Sequence, residues 1–521
     1  DYGPENISEA QCRDALRIIN EDFQKMNADT VEVASVFKPI VADCQIQFRL
    51  AQLDPNGECT DGITRHATKL TYQADDNVKA IVDWDQTKYL NIWVVKNISF
   101  GAAGYAYYPG AGPQQDGIVI RHDYFGSIGT SPNSSYNRHS LSHEIGHYLN
   151  LRHTWGNSNS PGLWSNCNDD DLVWDTPNTI GVNNFTCDTN QITCTPGITD
   201  NVQNYMDYSA CHNMFTEGQK IRIHAALNNG ASGRDNLVSA ANLNSTGTNT
   251  GYTANGCAPV ADFSYFRKFA CEGTGVTFID RSWNTDAAYT RLWSFPGGNP
   301  STSVDSIPVV QYPGYGTYDV TLTVTNASGS QSIVRNGFVN IIPAQGTQSA
   351  PFTEGFETLS FPGSFWFSEN ESGNGWQVIS GTAYTGNKCI SLNNYSGNPN
   401  ESIDAFITEG YDFSNLLNPT FDFKYAFATR NSSTDNLRVY YSIDCGRTWI
   451  LRFNKSGSAL TTAGNQFNNF TPTSLSQWKY ESLMVAALSG KQNVRFKFEF
   501  RNLGGNNIYV DDINIGGLNA G

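Results

Sequence analysis

Residues 139–156 read His-Ser-Leu-Ser-His-Glu-Ile-Gly-His-Tyr-Leu-Asn-Leu-Arg-His-Thr-Trp-Gly. His143 and His147 are four apart, so a helix puts both on one face, within reach of one tetrahedral Zn²⁺ at about 2.0–2.1 Å. Glu144 follows the first of them and is placed to act as general base on a zinc-bound water. By itself a His-Glu-x-x-His run is a common pattern, and a third ligand is needed. His139 is a poor candidate, because a straight helix rises about 12 Å from 139 to 147; local packing or hydrogen bonding suits it better. His153 can reach the metal only if the helix stops and the chain turns back. Asn150 stands where that turn is needed, and Asn tolerates a left-handed backbone.

Outward from this helix the first half of the chain reads as α/β. A helix is expected over 8–26, opened by a capping box at Ser8 to Gln11, with Leu16, Ile19, Phe23 and Met26 at helical spacing. Strands are expected where Ile46, Phe48 and Leu50 alternate with polar residues, at Leu90 to Val95, at Gly104 to Tyr108 and at Gly117 to Ile120. The histidine helix covers about 138–149. A long loop rich in Asn, Asp, Thr and Cys fills 154–203, and a last helix starts at Thr216 with a second capping box. Residues 244–257 have the composition of a flexible linker. Beyond 258 strands and Gly/Asn/Pro turns alternate, the pattern of β-sandwiches, divided by a Pro/Gly/Gln stretch at 343–351.

Composition sets outer bounds. The chain has 521 residues, 33 Lys+Arg against 49 Asp+Glu, and a net charge of −16. That length suggests about three or four domains. The acidic balance argues against a nucleic-acid partner. No apolar run approaches the roughly 18 residues of a membrane-spanning helix. The start at Asp1 rather than Met reads as a processed or truncated product whose export signal lies outside this sequence. Eleven cysteines without a CxxC pair, several in loop-rich segments, point to disulfides in an oxidising compartment. Their odd count leaves at least one outside any internal pair, and Cys12 is the leading candidate. Nearness in sequence suggests Cys44 with Cys59 and Cys257 with Cys271.

The spacing His143-Glu144-x-x-His147-x-x-Asn150-x-x-His153 resembles the metzincin signature, which usually has Gly at the turn. Asn204-Tyr205-Met206-Asp207-Tyr208-Ser209 resembles its methionine turn. The flanking Tyr148-Leu149-Asn150-Leu151-Arg152-His153-Thr154-Trp155-Gly156 narrows the likeness to the pappalysin family of secreted metallopeptidases, over roughly 6–243. Two departures are Asn for Gly at the turn and the lack of a strand before the first helix. The resemblance implies zinc on His143, His147 and His153, Glu144 as base and then acid, Met206 as an apolar floor, and Tyr208 reaching the metal or the developing oxyanion. It implies two disulfides, Cys167 with Cys194 and Cys187 with Cys211. It also favours structural calcium in the 166–204 loop, on Asp170, Asp171 and Asp175, over a solvated acidic loop. In several relatives an acid just after the methionine turn selects Arg or Lys after the cut. Here Ser209-Ala210-Cys211-His212-Asn213-Met214 offers none.

Residues 258–343 resemble a PKD-type immunoglobulin-like domain, through Trp293-Ser294-Phe295-Pro296-Gly297-Gly298 and Gly316-Thr317-Tyr318-Asp319-Val320. Residues 352–519 resemble a MAM or adhesin jelly roll, opened by Gly355-Phe356-Glu357 and closed by Tyr509-Val510-Asp511-Asp512-Ile513. The expected organisation is thus an α/β metzincin catalytic domain over 1–243, a linker over 244–257 and two all-β sandwiches. The expected function is a secreted zinc endopeptidase acting on protein or peptide substrates. Its β modules would bind substrate, a glycan or a matrix surface, or serve as spacers. The rival is a cell-surface or matrix adhesin with a vestigial zinc domain. The intact Glu144 argues against that rival.

Overall fold

The computed structural model describes residues 3–82, 84–253, 256–265, 269–285, 288–363, 365–370, 374–396 and 402–519. It divides into two compact units, 1–258 with 284–287, and 259–283 with 288–521.

In the first unit α1 is Glu9–Phe23, opened by Ser8, whose hydroxyl accepts from the Gln11 N–H. The capping box is half formed. The Gln11 amide turns inward and donates to the carbonyls of His122 and Phe125. Helix α1 ends at Phe23, and Met26, expected on its apolar face, is exposed. A three-stranded sheet has β1 (Ile92–Val95) and β2 (Gly104–Ala106) on either side of β3 (Ile118–Arg121), β1 parallel and β2 antiparallel to it. Helix α2 is Ser135–Tyr148, and α3, Glu217–Leu227, carries a complete Thr216/Gln219 capping box. Two short helices follow, α4 (Arg234–Leu237) and α5 (Ala240–Ser245). One core joins Ile19 and Phe23 of α1, Ile118 and Ile120 of β3, Leu141 and Ile145 of α2, Met206, and Ile223 of α3.

Two expectations fail here. Residues 46–50 form no strand. The Asn20 amide on α1 accepts from the Phe48 N–H at 2.7 Å and donates to the Phe48 carbonyl at 3.0 Å, the bonds a neighbouring strand would otherwise make. The stretch from 244, expected to be a flexible linker, is tied down at Thr246 and at Cys257. The Thr246 carbonyl accepts from the N–H groups of Gln52 and Leu53, and Cys257 is bonded to Cys59.

The second unit holds two sandwiches. In the first, one sheet has the order β5 (Phe269–Cys271), β11 (Gly329–Ile342), β10 (Gly316–Asn326), β7 (Thr290–Ser294), β8 (Thr302–Ser303). The other is β4 (Phe263–Tyr265), β6 (Gly275–Asp280), β9 (Val309–Gln311). Trp293, Phe278 and Phe295 fill the space between them. After the short pair β12 (Gln348–Ser349) and β18 (Tyr411–Asp412), the jelly roll has two larger sheets. One runs β15 (Trp376–Ser380), β16 (Lys388–Leu392), β24 (Ile508–Asn519), β19 (Leu416–Phe427), β22 (Lys479–Met484), with β13 (Phe352–Glu354) also on β24. The other runs β14 (Phe367–Glu369), β17 (Ile403–Ile407), β23 (Arg495–Arg501), β20 (Asn436–Ser442), β21 (Ile450–Ser456). Phe496, Phe498 and Phe500 on β23 all point into the core, as strand alternation requires. Cys271 and Cys445 link the two sandwiches.

Candidate metal centre

Helix α2 must stop after Tyr148 for His153 to return. It does so through a left-handed Asn150, φ 72°. The Leu151 N–H bonds to the Gly146 carbonyl and the Asn150 N–H to that of His147, the paired bonds of a Schellman cap. Arg222 of α3 holds the turn from outside, donating Nε to the Asn150 carbonyl at 2.6 Å.

This turn brings three imidazoles together. His147 Nε2 lies 3.1 Å from His143 Nε2 and 3.2 Å from His153 Nε2. Three nitrogens around one tetrahedral zinc would be spaced by about 3.3 Å, so the fit is close. Each Nδ1 faces a backbone carbonyl: Tyr205 for His143 at 2.7 Å, Leu151 for His147 at 2.8 Å, Ser158 for His153 at 3.0 Å. A carbonyl can only accept, so each Nδ1 carries the proton and each Nε2 lone pair points inward. Burial pushes His143 and His153 well below the usual histidine range and His147 down to about 4, keeping the rings neutral. Among the described residues this is the one group of three or more His, Cys, Asp or Glu placed to hold a metal. Trp155 stacks on His153, ring centroids 4.3 Å apart.

Glu144 is buried beside the trio, and burial raises its carboxyl to about 8. The edge strand β2 passes close to it. A Cβ on Gly104 would come within 3.0 Å of Glu144 Oε1, so glycine allows the strand its approach. Met206 is fully buried, and a Cβ on Gly146 would overlap its sulfur, so the methionine lies directly against the helix between the ligands. The Tyr208 ring lies 5.4 Å from that of His143 and 5.0 Å from that of His153.

His139 stays outside the trio and pairs through Nδ1 with Asp22 Oδ2 at 2.7 Å. Spacing in the sequence does not point to Asp22 as this partner. Its signal was a carboxylate on the buried stripe of α1, between Ile18, Ile19 and Phe23.

The structure does not gather Asp170, Asp171 and Asp175 into a calcium site. Asp170 Oδ1 accepts from the Leu172 N–H. Asp171 is buried against the Thr176 hydroxyl and the Val173 N–H. Asp175 caps α3, accepting from the Thr216 hydroxyl and the Gly218 N–H. Each carboxylate thus meets protein donors of its own.

The cysteines of the same loop take up structural bonds and supply no ligand to the metal centre. Cys167 is bonded to Cys194, with Cα atoms 5.3 Å apart, and Cys187 to Cys211, with Cα atoms 5.7 Å apart. These are the two pairings that the family resemblance implies. The pairs suggested by nearness, Cys44 with Cys59 and Cys257 with Cys271, do not form. Cys59 bonds Cys257 and Cys271 bonds Cys445, while Cys12, Cys44 and Cys389 are free. Cys44 is held under α1, its N–H on the Phe23 carbonyl.

Fold and centre together define a metallopeptidase domain with a three-histidine site. The family profile described as Peptidase_M43, pregnancy-associated plasma protein-A, matches residues 72–228, and the PKD profile matches 261–335. The chain belongs to this pappalysin family of peptidases. It is 32% identical to an extracellular metalloprotease of Arthroderma otae, over 35% of this chain and 63% of the relative. It is 37% identical to one of Arthroderma benhamiae, over 26% and 49%. It thus spans about half to under two thirds of the length of these curated relatives. Mature mirolysin of Tannerella forsythia, solved with a cleaved peptide, is 34% identical over 47% of this chain and 93% of that one, TM-score 0.43. Among the described residues no helix is long and apolar enough to cross a membrane.

Proposed function

We propose that this chain is an exported zinc endopeptidase acting on protein or peptide substrates, in which His143, His147 and His153 hold the zinc. The carrying observation is the convergence of three Nε2 atoms, each with its Nδ1 on a carbonyl, beside a buried Glu144. Zinc in such a site supplies a Lewis acid that brings the pKa of water to about 7 and polarises a carbonyl. A dication beside Glu144 would favour its ionised form over the raised value that burial alone gives, and so ionised it takes the proton of the attacking water and passes it to the leaving amine. Tyr208 stands over the ligands, where its hydroxyl donates to the oxygen on which charge develops. The free edge of β2 offers unpaired N–H and C=O groups to an extended substrate chain beside Glu144. The extracellular relatives and the four disulfides support export, and the β-sandwich modules serve substrate or surface binding.

Zinc analysis with a casein cleavage assay tests this. Glu144→Ala keeps one zinc per chain and loses at least about 10²–10⁴-fold in activity, the usual share of general acid–base catalysis. Activity within tenfold of the unaltered chain would refute the role.

Specificity follows from the segment after Tyr208. Ala210 stands there without a carboxylate, and burial takes His212 down to about 3, so it is neutral. Tyr136 packs against both His212 and Phe185. A buried basic side chain would lack a partner in such surroundings. Neutral or apolar residues are therefore accepted after the cut, and a peptide-library digest cut mostly before Arg or Lys would overturn this.

A further inference from the structure

The carboxylate of Asp22 lies outside the metal centre, yet contacts from the ligand helix and from the segment that carries Met206 meet on it. Asp22 is 2% exposed and sits one residue from the end of α1. Oδ2 accepts from the Ser142 hydroxyl at 2.5 Å and faces His139 Nδ1 at 2.7 Å, both on α2. Oδ1 accepts from the Tyr205 hydroxyl at 2.9 Å. Tyr205 in turn supplies the backbone carbonyl that receives His143 Nδ1. Three donors from two separate segments thus converge on two oxygens. One segment carries the first two ligands, and the other carries Met206.

We infer that Asp22 is a positioning residue for the metal centre: it fixes the rotation of the ligand helix and, through Tyr205, the carbonyl that aims His143. The reasoning is geometric. Ser142 and His139 lie three residues apart, on one face of α2, so tying both to one carboxylate leaves the helix no freedom to roll. Anchoring the Tyr205 ring fixes the peptide whose carbonyl orients the imidazole. A ligand imidazole so held has its Nε2 lone pair aimed before the metal arrives, and loss of such outer support weakens metal binding by about 10–100-fold. The inference rests on the zinc reading above and extends it to a residue 121 positions before His143 in the chain.

Asp22→Asn keeps shape but offers one acceptor oxygen, so an N–H₂ faces one of the three donors. Tyr205→Phe removes the hydroxyl while leaving the carbonyl in place. Both are tested by competition for zinc against a chromophoric chelator, at a temperature well below the melting of each metal-free variant. The expected result is zinc affinity about 10–100-fold weaker in each, and no weaker in the double variant than in the worse single one, because both break one chain of contacts. With saturating zinc, kcat falls while KM is little changed. Melting temperatures that fall with zinc affinity within threefold of the unaltered chain would make Asp22 a structural residue only and overturn the inference. Should Asp22→Asn not fold, Tyr205→Phe decides by the same criterion. If the unaltered chain binds no zinc, the zinc reading itself fails and this inference with it.

Discussion

His139 shows how a residue rejected as a ligand still matters. Burial alone would lower its pKa, but Asp22 and then Asp29, 3.6 Å from Nε2, outweigh that and raise it to about 9. An unfolded histidine titrates near 6.5, so the folded chain holds this proton more tightly. The resulting stabilisation is fully present below about pH 6.5 and is lost as pH rises through about 9. Melting temperature should therefore fall between pH 7 and 9.5 more steeply in the unaltered chain than in His139→Gln. Parallel curves would show that His139 carries no proton linkage. The difference between the two proteins cancels other groups that titrate over that range.

At the scale of elements, α4 is fastened to the end of the ligand helix by one buried charge. Arg234 is fully buried; its guanidinium makes two 2.7 Å bonds to Asp116, donates Nε to the Tyr148 carbonyl and lies 3.4 Å over the Tyr148 ring. Arg234→Ala leaves the Asp116 carboxylate buried without its partner, at a cost of about 3–5 kcal/mol. Urea unfolding measures this, and Arg234→Met with Asp116→Asn should lose less than the two single changes summed. A full sum would mean the pair is not coupled. Such long-range ties explain what could be read from sequence. The ligand helix, the Asn150 turn and the Thr216 cap were legible because each is specified within about ten residues, by spacing or by a side chain's own backbone preference. Asp22, the Asn20–Phe48 pairing and the Cys59–Cys257 bond were not. Each depends on a partner 28 to 198 positions away, which periodicity does not encode. The Cys167–Cys194 and Cys187–Cys211 bonds also reach across 27 and 24 positions, and they were legible only through the family resemblance. The strand expected at 46–50 failed because alternation records burial and not what the backbone pairs with.

At the scale of the molecule, the two sandwiches of the second unit are joined twice, by the chain through 343–351 and by Cys271–Cys445. The Pro343 carbonyl also accepts from the Asn493 side chain at 2.9 Å. A site-specific protease sequence inserted between the exposed Ala344 and Gln345 should therefore give a cut protein that runs as one species without reductant and as two with it. Two species without reductant would disprove the bond. Eight of the eleven cysteines are in bonds, and the three free thiols are the buried Cys44 and Cys389 and the partly open Cys12.

The Cys59–Cys257 bond also imposes an order of events on biosynthesis. Cys59 leaves the ribosome 198 residues ahead of its partner, a wait of roughly 10–40 s at about 5–20 residues per second. Throughout that interval Cys44, 15 positions earlier in the chain, is the nearest thiol on offer. In the folded chain Cys44 is out of reach, beneath α1 with its N–H on the Phe23 carbonyl. The core that encloses Cys44 also takes in Phe215 and Ile223, so the shelter for one thiol and the partner for the other both arrive with the end of the domain.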